Sequence, residues 1–438
     1  MKYINPHDLT PIMGQEEFRA HATDYAATMR RAMSDRSYLL PESSLRLPFD
    51  NELFEKSRLL AEKLSTPNLS YVVVVGIGGS YLGTKAVYEA MCGTIDGYGP
   101  SLPKMIFADT CSPEFLGDLT GIIVEEVASK DEIIIAVISK SGGTTETMVN
   151  ASFLIDALEK KLGTINDRMV YITDEGSPLW HAGEKEGVQL LPIPKTVGGR
   201  FSVFSPVGVF PLLAVGIEAD KLIQGAGEVV TECVERGAES DAFRVACDIV
   251  SQSRDGAVIF DLLLFHPELE SFGKWYRQLF AESLGKDVTR DGVPTKHHIV
   301  PTASIGTTDL HSVEQLYLSD PALFARTIVR VNSSHWGHDL FSNERALLSL
   351  VPGVSGRAPC QIMEIIYRGV KEVYQKRGIR FSEIELPEIS LQGIGALMQF
   401  EMCVVMYLAQ LLDINAFDQP YVEEYKQAVR KNLGNTNE

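Results

Sequence analysis

The chain has 438 residues, 45% of them hydrophobic and 22% charged, with a formal charge of −18. That length can bury a large interior and suggests two or three domains. The acidic balance argues against nucleic acid as a partner, since phosphate backbones select basic surfaces, but it leaves room for a small phosphorylated ligand on a local cationic seat.

Residues 15–33 and 51–65 have the amphipathic spacing of helices. A strand–helix rhythm then starts. Strand Tyr71–Val75, the glycine loop Gly76–Ser80 (GIGGS), helix Leu82–Met91 and strand Met105–Asp109 come first. Helix Pro113–Ala128, strand Ile133–Ile138, helix Glu146–Leu162, strand Met169–Thr173, a short helix near Leu179–Glu186 and strand Val188–Pro192 complete the series. Strands alternating with helices, without hairpin signals, predict a parallel sheet covered on both faces. Such sheets bind ligands at the carboxyl ends of their strands.

Val197–Phe210 (VGGRFSVFSPVGVF) is rich in glycine and aromatic residues and has no clear period, so it reads as a crossing between domains. A looser series follows: helix Ala242–Ser253, strand Ala257–Leu262, helix Leu269–Leu284, strand His297–Pro301, helix Leu310–Leu318 and strand Ala325–Val331. Long helices around Gln361–Lys376, Leu391–Leu412 and Tyr421–Leu433 close the chain. The expected organisation is a helical segment 1–66, a first α/β unit 67–195, a crossing 196–240, a second α/β unit 241–412 and a closing helical segment 413–438. Six scattered cysteines with no CxxC suggest reduced thiols in a cytoplasmic protein. The opening MKYINPHDLT lacks the apolar region of a secretory leader. The apolar stretch Ile394–Leu412 carries Gln399, Glu401 and Gln410, costly in lipid, so a buried helix accounts for it better than a membrane span.

The stretch with the most chemistry is Ile133–Thr147, IIIAVISKSGGTTET. A buried strand breaks into a loop of hydroxyls, two glycines and a lysine, and a helix begins. Glycines let backbone N–H groups turn inward, Ser139, Ser141, Thr144 and Thr147 add hydroxyls, and the helix N-terminus adds a positive dipole end. That is more than a helix cap needs, and it points to phosphate. The order is not that of a P-loop, because Lys140 precedes the glycines.

Arg200, in Gly198-Gly199-Arg200, suits a phosphate or enediolate oxygen, and equally a buried ion pair at a domain seam. Gln278 and Glu282 are four apart and share a helix face among aromatic residues; a carboxylate there has the raised basicity of a general base, although the spacing alone fits a solvated helix end. His311 follows Gly306-Thr307-Thr308-Asp309, and Lys426 follows Phe417-Asp418-Gln419-Pro420; neither is notable by itself. His335-Trp336-Gly337-His338-Asp339 lacks a third ligand cluster for a metal, and His297-His298 reads as strand-edge packing.

Taken in order, GIGGSYLG, SKSGGTTET, VGGRFSVFSPVG, QLFAESLGK, the Gly306–His311 turn and FDQPYVEEYK resemble the motifs of the phosphoglucose isomerase family, of the compact bacterial type, over Tyr71–Lys426. The resemblance implies two flavodoxin-like sugar-isomerase (SIS) domains with parallel sheets flanked by helices, plus N-terminal helices and a C-terminal helical segment. It implies a homodimer without metal or organic cofactor, acting on glucose 6-phosphate and fructose 6-phosphate. Ser139, Lys140, Ser141, Thr144 and Thr147 then form the phosphate seat, and Gly79, Ser80 and Gln278 contact the sugar and the catalytic carboxylate. Arg200 faces the enediolate, Glu282 is the base, and His311 with Lys426 opens the ring. Glu146 orients the histidine, which comes from the partner subunit. Two positions depart from the family: Lys195 stands where Asp is common, and Tyr421 where Gly is usual. Rival readings are a related isomerase that also takes mannose 6-phosphate, and a non-catalytic sensor of sugar phosphates. A basic DNA-binding segment is missing for the latter.

Overall fold

In the computed structural model of the chain, the residues described are 1–5, 9, 13, 16–95, 103–332 and 346–434. A short strand β1 (Lys2–Ile4) precedes helices Glu16–Ser34 and Asn51–Leu64. The first sheet is built from β2 (Tyr71–Val75), β3 (Lys104–Ala108), β4 (Ile133–Ile138), β5 (Met169–Thr173) and β6 (Gln189–Pro192). Its order is β3-β2-β4-β5-β6 and every pairing is parallel. Alternate residues of each strand serve two cores, as the period of two requires. Val72, Val74, Ile134, Ala136 and Ile138 face one, and Val73, Val75, Ile133, Ile135 and Val137 the other.

The second sheet repeats this winding. Strands β7 (Ile259–Leu264), β8 (Val300–Ile305), β9 (Phe324–Val331) and β10 (Phe381–Leu386) lie parallel in the order β8-β7-β9-β10. The fifth place is taken by β1, antiparallel to β10 with Tyr3 opposite Ile384. In each sheet the order reverses beside the first-formed strand, and the loops diverge there to leave a crevice. In the first sheet that point lies between β2 and β4, beneath GIGGS and SKSGGTTET.

One shared core joins the inner faces of both sheets: Val72 and Val74 belong to the same apolar cluster as Leu262, Leu264, Val329 and Ile384. Helix Leu391–Leu411 runs through it. By length and composition this helix could cross a membrane, but 89% of its apolar window is buried inside the fold. It crosses helix Ala219–Arg236 backbone to backbone. A Cβ at Gly225 would lie 2.0 Å from the Gln392 carbonyl oxygen, and one at Gly395 2.0 Å from that of Leu222. Only glycine fits at either place.

Several elements differ from the sequence reading. The aperiodic stretch after Val197 is itself helical, with all of Pro206–Ala214 but Leu213 buried in the core and Ala219–Arg236 beyond it. Strands β1 and β10 were not expected, and the His297-His298 pair lies ahead of β8 rather than on a strand. The helix expected over Leu310–Leu318 is a 3-10 turn, Thr308–His311, followed by a short helix Glu314–Ser319.

Candidate active site

Strand β4 is buried along its whole length and delivers Ser139 to the crevice. The Ser139 hydroxyl bonds that of Thr144 (2.9 Å), and Thr173 at the end of β5 donates to the Ser139 carbonyl (2.6 Å), so the loop is braced from its neighbour. Thr144 caps helix Thr145–Leu162 without a side-chain bond to it, which leaves the first N–H groups of the helix open to an anion. The Thr147 hydroxyl is buried and has no partner among the described residues. Burial pulls the Lys140 ammonium below its ordinary pKa; the Asp174 carboxylate opposes this and the Arg200 charge adds to it. A desolvated ammonium binds an anion more strongly than one in water.

Ser141, Gly143, Thr144, Thr145 and Glu146 form one wall of an open cleft. The facing wall comes from helix Pro420–Gly434, which contributes Lys426 and Arg430. Lys426 is ion-paired to Glu423 at 2.7 Å.

A second cluster forms around helix Glu270–Leu284. Gln278 and Glu282, one turn apart, meet: Gln278 Nε2 donates to Glu282 Oε1 at 2.9 Å. Arg200 Nη1 donates to Glu282 Oε2 at 3.0 Å. Glu282 is therefore not a solvated helix end, since each carboxylate oxygen has its own donor. Arg200 is 1% exposed. Its Nε donates to Ser283 Oγ (2.8 Å), Nη1 also to Gln419 Oε1 (2.9 Å), and Nη2 to the carbonyls of Ala416 and Asp418. Burial draws the guanidinium pKa down, and the Glu282 carboxylate opposes the shift. The ion-pair reading and the site reading of Arg200 thus coincide, because its partner is the candidate base.

The glycine loops make this cluster possible. A Cβ on Gly79 would sit 2.2 Å from the Gly199 carbonyl carbon and 2.6 Å from the Arg200 nitrogen. GIGGS and the GGR turn therefore touch backbone to backbone. Gly78 packs on Gln278, whose Nε2 would be 3.0 Å from a Cβ there. Ser80 ends the turn Gly78–Ser80 and is partly exposed beside them.

His311 is exposed on the turn after β8, and no hydrogen bond joins it to Glu282 or to the cleft among the described residues. His335 and His338 lie outside the described residues. Among those described, no group of three or more His, Cys, Asp or Glu side chains could hold a metal. Tyr421 hydrogen-bonds Asp287, which raises the phenol pKa, and Lys195 is exposed near Asp174.

The sequence reading assigned no role to Ser283, Lys286, Asp418, Gln419 or Arg430. The Lys286 side chain is 6% exposed and bonds the Glu282 carbonyl at 2.6 Å and the Asp418 carbonyl at 2.9 Å. Its placement four residues after Glu282, just past a helix end, was a usable signal, since late cations in a helix fold back onto its last carbonyls. Nothing local could announce the contacts of Ser283, Asp418 and Gln419 with Arg200.

The family model for phosphoglucose isomerase matches residues 61–437. A glucose-6-phosphate isomerase of Methanocaldococcus jannaschii is 32% identical over 360 residues, covering 81% of this chain and 82% of its own. That of Rubrobacter xylanophilus is 31% identical over 401 residues, 90% of this chain and 89% of its own. Among solved structures, a glucose-6-phosphate isomerase of Chlamydia trachomatis superposes with a TM-score of 0.81 at 20% identity, over 99% of this chain and 88% of its own, which shows the same fold. With the matched model spanning most of the chain, and with the paired glycine loops and the Glu282–Arg200 cluster in place, the chain belongs to the phosphoglucose isomerase family.

Proposed function

We propose that this chain interconverts D-glucose 6-phosphate and D-fructose 6-phosphate, an aldose–ketose isomerisation that needs neither metal nor organic cofactor. The observation that carries the reading is the Glu282 carboxylate, gripped by Gln278 and Arg200 where two glycine loops meet, with Lys140 of the hydroxyl-rich loop close enough to feel the Arg200 charge. In this reading Ser139, Lys140, Ser141, Thr144 and Thr147 hold the phosphate, and Gly79, Ser80 and Gln278 border the sugar. Remote binding of the dianion orients the carbons that react. Glu282 lifts the proton from C2 and returns it to C1 on the same face of a cis-enediolate, and Arg200 faces the developing oxyanion. Lys426 and His311 assist ring opening, with Glu146 orienting the imidazole.

The exposed position of His311, unconnected to Glu282 within this chain, favours a homodimer in which the partner subunit's His311 completes each site. A cytoplasmic setting and two SIS domains, 67–195 and 241–412, joined through 196–240 and flanked by the segments 1–66 and 413–438, belong to the same reading.

The test is turnover of fructose 6-phosphate by the purified protein, beside Glu282→Gln. General acid–base transfer contributes about 10²–10⁴-fold, and the variant should lose at least that much kcat while solvent hydrogen ceases to enter C2. No turnover by the unaltered protein overturns the function. Near-full turnover by Glu282→Gln overturns the base.

A further inference from the structure

We infer that Lys286 is a positioning residue of this isomerase, holding the base Glu282 and the helix that carries Lys426 in one rigid frame. The inference rests on the reading of Glu282 as the base.

Helix Glu270–Leu284 ends at Gly285, and its last carbonyls have no partner within the helix. Lys286 folds back over that end. Its ammonium donates to the Glu282 carbonyl at 2.6 Å and to the Asp418 carbonyl at 2.9 Å, and it lies 3.3 Å from Asp418 Oδ1. The Asp418 carbonyl also accepts from Arg200 Nη2 at 3.3 Å. Two cations therefore converge on one peptide oxygen, and both also bind Glu282, Arg200 through its carboxylate and Lys286 through its carbonyl. Two residues beyond Asp418, Pro420 begins the helix of Lys426. That helix buries none of its own side chains, so the direction in which it leaves depends on the anchorage of Ala416–Gln419.

The arrangement has an electrostatic result as well. The charged groups around Glu282 are Arg200, Lys286 and Asp418, with Gln278, Ser283 and Gln419 as neutral neighbours. The side chain of Lys286 is nearly enclosed, where a charge is poorly screened. Burial lowers the Lys286 pKa, while the Asp418 carboxylate works to keep it charged.

The experiment compares Lys286→Met, Lys286→Arg and Asp418→Asn in the whole chain, following kcat and KM for fructose 6-phosphate. Loss of the frame should lower kcat of Lys286→Met by about tenfold to a hundredfold with KM within about threefold. Lys286→Arg should restore kcat in part, and Asp418→Asn should give a smaller loss of kcat. A purely structural lysine would lower stability and leave kcat of the folded fraction in place. An unchanged kcat in folded Lys286→Met, or, if that variant does not fold, an unchanged kcat in Asp418→Asn, overturns the inference. Glu282→Gln measured alongside separates the outcomes: its retained activity discredits the base itself rather than the role of Lys286.

Discussion

The winding β3-β2-β4-β5 of the first sheet recurs as β8-β7-β9-β10 in the second, but the polar side chains of the two sheets are disposed differently. At the carboxyl edge of the first, the Thr147 hydroxyl is buried without a partner, and Lys140 forms no ion pair among the described residues. In the second, charges meet each other. Arg326, wholly buried, is 2.9 Å from Asp261 and 2.7 Å from Glu314, with its guanidinium 5.0–5.3 Å from the ring centres of Tyr317, Phe324 and Tyr374. Asp261 accepts from Thr302 and Ser304, and Glu383 is paired with Lys371. A cation left without a counter-ion at a strand end can receive an anion, whereas a sheet that pairs its charges internally gains a fixed scaffold.

The contrast can be broken first in the second sheet. Arg326→Met leaves Asp261 and Glu314 buried without a cation, and should cost about 4 kcal/mol in urea unfolding while the folded fraction keeps its kcat and KM. A large kinetic defect without loss of stability would place Arg326 in the machinery of the first sheet instead. The core between the sheets offers the next largest effect. Burial alone raises the Glu401 carboxyl to about 8. The folded chain then holds a proton that the unfolded chain releases near pH 4.5, so stability falls as pH rises through 8. Between pH 6 and pH 9, unfolding free energies of the unaltered protein should drop by about 3 kcal/mol relative to Glu401→Gln.

In the first sheet the response should be kinetic. Gly79→Ala forces the two glycine loops apart and should lower kcat/KM by at least about a hundredfold, measured on fructose 6-phosphate, through displacement of Arg200. The smallest effect belongs to an exposed contact. Tyr421→Phe removes the bond to Asp287 and should change stability by less than about 0.5 kcal/mol in thermal unfolding, with kcat unchanged within twofold.

The same contrast explains what could be read in advance. Val72–Val75 and Ile133–Ile138 are apolar runs rich in β-branched residues, each ending in a glycine loop, so the strands of the first sheet were legible close to their true bounds. Strand β10 reads FSEIEL, with charged residues between apolar ones and long helices on either side, and its burial depends on Lys371 and on β9, which no local pattern reveals. Strand β1 is three residues long and exists only by pairing with β10. The helix Pro206–Ala214 contains Pro211 and is apolar on all sides, so it has no amphipathic period to detect. For the site, the loop Ser139–Thr147 announces its chemistry by composition. Glu282 and Arg200 gained their roles from family resemblance, since residues 82 positions apart leave no local trace of a 3.0 Å contact.

Arg200 joins three parts of the chain that are far apart in sequence: its own glycine turn, Glu282-Ser283, and Ala416–Gln419. During synthesis the first two can meet early, but the guanidinium still lacks the acceptors of the third. A growing chain halted before that segment has the Arg200 cation short of its carbonyls, and with it a Glu282 carboxylate whose surroundings are unfinished. The Arg200–Glu282 cluster is therefore complete only once the chain beyond Ala416 has folded onto it.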